Sequence, residues 1–210
     1  MSQVAEHKSD RISRRQVDKF AERRSQLAAS ALLTLSELGY ARTSLREIAQ
    51  NSDFSHGVLH YYFRDKVDLI TFCVRQYKAE CVTRYDQVVA TSETAEELRA
   101  GFGKAMVETL REDATMHRLW YDLRNQSLFE ESFREDVLQI DQSLERMIWR
   151  IVATYAELAG LPLTVPSRLT YALFDGVFQQ ALLRHLAGDE TASAELPAQL
   201  AVVLDRLLTG

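Results

Sequence analysis

Apolar residues recur at steps of three, four and seven from about Arg14 to Leu38, where Phe20, Leu27, Ala31, Leu35 and Leu38 form one stripe. That spacing predicts a long amphipathic helix. Gly39 supplies its stop, because glycine enters the left-handed conformation of a helix end without steric cost. Ser44-Leu-Arg-Glu47 then reads as a capping box, in which the Ser hydroxyl accepts from a free amide and the Glu reaches back to the cap. It predicts a short second helix with Leu45, Ile48 and Ala49 on its buried side. Asn51, Ser52 and Asp53 favour turns and end it within two turns, and Ser55 caps a third helix running to Phe63. Asp65 with Asp68 opens a fourth helix reaching about Val89, Thr94 with Glu97 a fifth, and a sixth runs from about Ala114 to Ser127. Ser127 with Glu130 opens a long seventh that Gly160 closes, an eighth spans about Ser167 to Ala187, and a ninth begins near Pro197, since proline suits a first turn. The pattern holds no convincing strand, repeat or flexible linker. It predicts an all-α chain of nine helices: a basic flexible arm over 1–13, a three-helix head over 14–66 and a helical body over 67–210.

With 46% hydrophobic and 26% charged residues among 210, a disordered chain is excluded. The first twenty residues lack the apolar core of a secretory signal and no later run approaches a membrane span, so a cytoplasmic protein is expected. Cys73 and Cys81 lie eight apart in a helical stretch, about 12 Å along the axis and too far to bridge. Two reduced, packed thiols are the plain expectation, with a redox switch as the alternative.

Charge divides the chain. Up to Lys66 there are 11 basic and 8 acidic residues, and beyond it 14 basic and 22 acidic, so the parts carry +3 and −8 within a net −5. A small basic module on an acidic body suits one part that meets an anionic partner and one that does not, although charge runs are also ordinary solvated faces. Two short helices joined by a tight turn over residues 44–63 describe a helix-turn-helix, whose second helix lies in the DNA major groove. Leu45, Ile48, Ala49, Phe54, Leu59 and Phe63 can clamp this pair to the first helix, leaving Ser55, His56, Gly57, His60 and Tyr61 on the outer face. Ser55 and His56 can bond phosphate or base edges, Gly57 permits close backbone approach, and His60 and Tyr61 reach the phosphate backbone. Lys66 offers a cation at a helix N-terminus. Spacing alone leaves a purely structural helix pair open, as in many bundles. Lys8, Arg11, Arg14 and Arg15 precede the first helix and suit either a minor-groove arm or a solubilising tail.

The stretch SLREIAQNSDFSHGVLHYYFRDKVDL, after a helix ending in ELGYARTS, resembles the N-terminal domain of the TetR family of bacterial transcriptional regulators over about residues 20–75. The family's small pair before helix two falls on Thr43 and Ser44. Its hydrophobic-Ser-x-Gly-x-Leu run falls on Phe54 to Leu59, its aromatic run on His60 to Phe63, and its helix-four Lys on Lys66. The resemblance implies DNA contacts from Thr43, Ser44, Arg46, Ser55, His56, Gly57, His60, Tyr61 and Lys66. One departure is His60, where the family usually has a phosphate-contacting Tyr; Tyr61 can share that contact, and imidazole chemistry would give the complex pH dependence near neutrality. Phe54 is bulkier than the usual Val.

For the body, the resemblance implies an effector site and dimerisation through the last two helices, and residues 117–136 with 169–186 resemble its BetI-type C-terminal branch. A pocket needs apolar walls with a few convergent polar groups. The aromatic set offers Trp120, Trp149, Tyr171, Phe174 and Phe178, with Phe102 and Met106 beside them, although such stripes are also ordinary core. His117, Tyr121 and Arg124 share a helix face as polar determinants. Arg124 suits an anionic group on the ligand, or else pairs with Asp122 or Glu130. For a homodimer, Leu196, Leu200, Val203, Leu204 and Leu207 line one side of the last helix, and Leu169, Ala172, Leu173, Gly176 and Val177 mark the helix before it. No phosphate loop, Cys-His pair or doubled Glu-x-x-His occurs, so neither an enzyme nor a cofactor or metal site is expected. The reading is a homodimeric repressor binding double-stranded operator DNA and released by a small-molecule effector. A helical ligand-binding or interaction protein without sequence-specific DNA binding is the alternative.

Overall fold

Helical periodicity carries through the computed structural model, which describes the backbone over residues 2–208 and side chains over 17–208. Among the described residues there are ten α-helices, one 3-10 turn and no strand, so the all-α expectation is met. An isolated antiparallel bridge joins Leu163 and Leu208. The chain forms two units, Met1–Arg75 and Gln76–Gly210. Lys8, Arg11, Arg14 and Arg15 of the expected arm lie outside the residues whose side chains are described.

The first unit holds α1 (Ser2–Leu38), α2 (Leu45–Gln50), α3 (His56–Tyr62) and the start of α4 (Lys66–Cys81). Gly39 stops α1 at φ 77°. The Ser44 hydroxyl accepts from the Glu47 amide at 3.2 Å and that of Ser55 from the Val58 amide at 3.3 Å, each cap contributing about 1 kcal/mol. Asp65 caps α4 by accepting from the Asp68 amide at 2.8 Å. Leu27, Ala31, Leu35, Leu45, Ile48, Leu59 and Phe63 are buried as the stripe requires. Phe20 departs from it, being 41% exposed and stacked on Tyr62 with ring centroids 4.7 Å apart. Arg24 sews α1 to α4, with its guanidinium over Phe63 and Phe72 and an ion pair to Asp68 at 2.7 Å.

The second unit contains α5 (Asp86–Thr91), α6 (Ala95–Glu112), α7 (Ala114–Gln126), a 3-10 turn (Glu131–Phe133), α8 (Arg134–Ala159), α9 (Ser167–Leu186) and α10 (Thr191–Arg206). Three expectations shift. The predicted fourth helix breaks after Cys81 because tertiary bonds win: Arg150 on α8 donates to the Val82 carbonyl at 2.7 Å and to Asp86 at 2.8 Å, and buried Tyr85 bonds Thr109 at 3.0 Å. Ser127 does not cap the long helix, since its hydroxyl donates back to the Arg124 carbonyl at 2.7 Å, and α8 starts later. Helix α10 starts at Thr191 rather than near Pro197, because Asp189 accepts from the Thr191 amide at 2.9 Å. Pro197 therefore stands inside α10, against buried Gly103 of α6, where an added Cβ would lie 3.1 Å from the proline Cβ. That close contact brings α10 onto α6, with α9 packed beside it. Both cysteines are free and buried; the Cys73 thiol donates to the Ala28 carbonyl, and burial pushes its pKa well up. No described helix is long and apolar enough to cross a membrane.

Candidate functional site

The outer face of α3 is built by subtraction. Leu59 and Phe63 point one side of the helix into the core of the first unit, so Ser55, His56, Gly57, His60 and Tyr61 stand exposed on the other. Beyond the Ser55 cap and the edge contact of Tyr61 with Phe20, the fold makes little use of this face. Tyr61 is 72% exposed, and a Cβ built on Gly57 meets nothing within 4 Å. Glycine within a helix costs roughly 0.5–1 kcal/mol relative to alanine, so packing within the chain does not account for its presence. His56 and His60 approach at 3.2 Å between their Nε2 atoms, a contact that is a hydrogen bond only while one ring remains a neutral acceptor. Ser44 and Arg46, on the neighbouring helix, are exposed as well.

Two expected DNA contacts are drawn inward. Thr43 is buried, and its hydroxyl donates to the Gly39 carbonyl at 2.7 Å, closing the loop after α1. Lys66 is half-buried, donates to the Tyr40 carbonyl at 2.8 Å and lies 3.9 Å from the Tyr40 ring centroid. The helix end it was expected to offer to phosphate is occupied by the Asp65 carboxylate. Both therefore brace the unit rather than project from it.

In the second unit a cavity of about 60 Å³, part of it open to solvent, lies among α4, α6, α7, α8 and α9. Its walls bring together His117, Trp120, Tyr121, Tyr171, Phe174 and Phe178 of the expected set, and Met106. Trp149 does not line it and is half-buried on α8, while Phe102 is core, stacked between Tyr85 and Phe174. Arg124 also falls outside the lining and pairs with Asp175 on α9 and, at 3.2 Å, with Asp141 on α8, rather than with Asp122 or Glu130. Tyr121 donates to Asp175 at 2.9 Å and Tyr171 to Asp141 at 2.7 Å, so the network is closed upon itself. Burial, reinforced by Asp175, pushes both phenol pKa values well up and keeps them as neutral donors.

Sequence reasoning missed Lys78, Tyr85, Thr109, Leu144, Met147, Ile148 and Asp175 in the lining. For Lys78 a signal existed: Ile70, Val74, Lys78 and Cys81 fall at steps of four, four and three, which puts the lysine on the apolar stripe of its helix. Lys78 is 3% exposed, with its ammonium 3.4 Å from His117 Nδ1 and 5.2 Å from the Trp120 ring centroid. Burial lowers its pKa to about 8, against the pull of Cys81, Asp175 and Asp113, so it remains a cation at neutral pH. His117 is pushed well below its ordinary value, first by burial and then by Lys78 and Arg84, and is neutral.

The two helices expected at a dimer interface behave differently. On α9, Leu169, Ala172, Leu173 and Gly176 are exposed and Val177 half-buried, while Phe174, Phe178 and Leu182 fill the core behind them. On α10, Leu196, Leu200 and Leu204 are buried within the same unit, where α6 and α9 pack on the helix, Leu207 is buried at its C-cap, and Val203 is half-buried. The apolar stripe of α10 is thus internal, and its outward face offers Val202 instead, at 59% exposure.

Residues 27–71 match the family described as bacterial regulatory proteins, tetR family. Among curated proteins, the HTH-type transcriptional regulator BetI of Paraburkholderia phymatum is 26% identical over 114 residues, covering 53% of this chain and 58% of that protein. The chain therefore spans little more than half the length of the curated relative it matches. Among solved structures, a TetR transcription regulator from Haloarcula marismortui aligns over 90% of this chain and 100% of its own, at TM-score 0.72 and 17% identity. FadR from Bacillus subtilis in complex with stearoyl-CoA aligns over 89% and 98%, at TM-score 0.66 and 18% identity. These two likenesses concern the fold.

Proposed function

We propose that this chain, whose residues 27–71 match the tetR family of bacterial regulatory proteins, is a DNA-binding transcriptional regulator, a homodimeric repressor released from a pseudo-palindromic operator by a small-molecule effector. The observation that carries this reading is the outer face of α3, where His56, His60 and Tyr61 stand ready for phosphate and base edges around a glycine the fold does not need. Ser44 and Arg46 flank it as phosphate contacts, and the protein acts in the cytoplasm, beside its operator.

Self-association rests on α9. A helix apolar on both faces is stable in water only when both are covered, and Leu169, Leu173, Leu183 and Leu186 are left bare. A second copy is the occupant that Ala172 and Gly176 favour, because small residues let two symmetry-related helices approach closely. Two copies present two α3 helices, hence a two-fold operator. An effector that prefers the DNA-incompetent conformation lowers operator affinity by the same factor by which operator lowers effector affinity.

Fragments of the source genome selected on the purified protein test the proposal. Specific sites should bind roughly a thousandfold tighter than random duplex of equal length and carry two inverted half-sites. Uniform binding to all fragments overturns it.

A further inference from the structure

We propose that the cavity of the second unit receives a small amphipathic carboxylic acid, its carboxylate held by Lys78, His117 and Trp120 and its apolar body by Phe174, Phe178 and Met147. This rests on the regulator reading, and names the chemical class of its effector.

The hydrogen-bonding groups of the cavity wall divide into two sets. Its acceptors and hydroxyls already have partners: Asp175 takes Arg124 and Tyr121, Tyr171 donates to Asp141, and Tyr85 bonds Thr109. Its buried N–H groups do not. Lys78 has no acceptor to donate to except His117 Nδ1, and no carboxylate bridges it among the described residues. An ammonium carries three donors and no lone pair, so in that contact lysine donates and imidazole accepts. The remaining imidazole proton is then on Nε2, which is buried without a partner, as is Trp120 Nε1. One cation with spare donors and two orphan N–H groups thus share the wall of a chamber otherwise made of aromatic rings and aliphatic side chains.

Charge decides between ligand classes. Aromatic walls could also receive a cation, but Lys78 already occupies that role, at 5.2 Å from the Trp120 ring centroid and 5.4 Å from that of Tyr77. A second cation would meet it in a medium of low dielectric, where like charges repel strongly. A neutral alcohol supplies one acceptor oxygen for three kinds of donor. A carboxylate supplies two oxygens with about four lone-pair sites and neutralises the buried ammonium as well.

Isothermal titration of the full chain tests this with octanoate and 3-phenylpropionate, their alcohols octan-1-ol and 3-phenylpropan-1-ol, and octyltrimethylammonium. Both carboxylates should bind at least tenfold tighter than their alcohols, and the ammonium compound should not bind. Lys78→Met keeps the apolar stem and should weaken octanoate at least tenfold while leaving octan-1-ol unchanged. Trp120→Phe keeps an aromatic wall, removes one donor, and should weaken octanoate severalfold without affecting the alcohol. No binding by either carboxylate, equal or tighter binding of the alcohols or the ammonium compound, or unchanged octanoate affinity in Lys78→Met overturns the assignment. Selection on genomic fragments, run on the same preparation, separates the two claims. Specific DNA binding without carboxylate binding sinks the cavity assignment alone, and carboxylate binding without specific DNA binding sinks the regulator reading and leaves the cavity chemistry standing.

Discussion

The outer face of α3 and the cavity of the second unit both present polar groups, but water reaches only the first freely. The polar atoms of exposed His60 and Tyr61 are within reach of water, so their polarity is compatible with an ordinary surface. The buried and unpartnered N–H groups of His117 and Trp120 each carry a desolvation penalty of about 1–3 kcal/mol. An unpaired donor is therefore weak evidence outside and strong evidence inside. On the surface the informative feature is Gly57, a residue that weakens its helix and fills no internal need.

The largest expected effect tests whether the exposed faces act through a twin copy. Leu173→Glu places charge on the bare side of α9 without disturbing the core. It should convert a dimer into a monomer in sedimentation and lower operator affinity at least a hundredfold, since linked half-sites gain about 10²–10⁴ in avidity. A monomeric wild type with full operator affinity breaks this part of the account. Next is the buried cation. The folded-state pKa of Lys78, about 8, lies below its ordinary 10.5, so the unfolded chain binds the extra proton between these values and stability rises with pH there. Lys78→Met should remove that rise. It should gain about 3 kcal/mol over the wild type below pH 8, narrowing toward pH 10.5, by denaturant unfolding.

His56→Ala follows, with operator affinity down about tenfold and a changed preference at one symmetric pair of base positions, measured by fluorescence anisotropy on substituted duplexes. Arg46→Ala should weaken all sequences alike and flatten the salt dependence by about one unit of slope. The smallest effect is the sharpest in sign. Gly57→Ala should stabilise the first unit by about 0.5–1 kcal/mol in thermal unfolding while weakening DNA binding. Unchanged DNA affinity in this variant would make the glycine incidental.

Legibility in the sequence followed the range of the forces involved. The capping hydroxyls of Ser44, Ser55 and Thr94 act on amides three residues on, and all three were readable from spacing. The break after Cys81 depends on Arg150, a residue 68 positions from the Val82 carbonyl it satisfies, and no local pattern announces it. The burial of Leu196, Leu200 and Leu204 was misassigned for a related reason: an apolar stripe tells that a helix is covered, not by what, and here α6 covers it through the Gly103–Pro197 contact. Arg124 was legible as a cation sharing a helix face with His117 and Tyr121, but its partners Asp141 and Asp175 come from helices whose register only the fold supplies. Lys78 lay on an apolar stripe and was legible, yet a lone lysine among apolar neighbours reads first as a side chain that reaches solvent.

The central claim is that the outer face of α3 reads base sequence. Binding-site selection from a random duplex pool, with the wild type and His56→Ala side by side, addresses it most directly. The account predicts that the wild type enriches one pseudo-palindrome and that the variant loses or changes its preference at one symmetric pair of positions within it. Enrichment of no sequence, or of the same sequence with the same preference by both proteins, contradicts it.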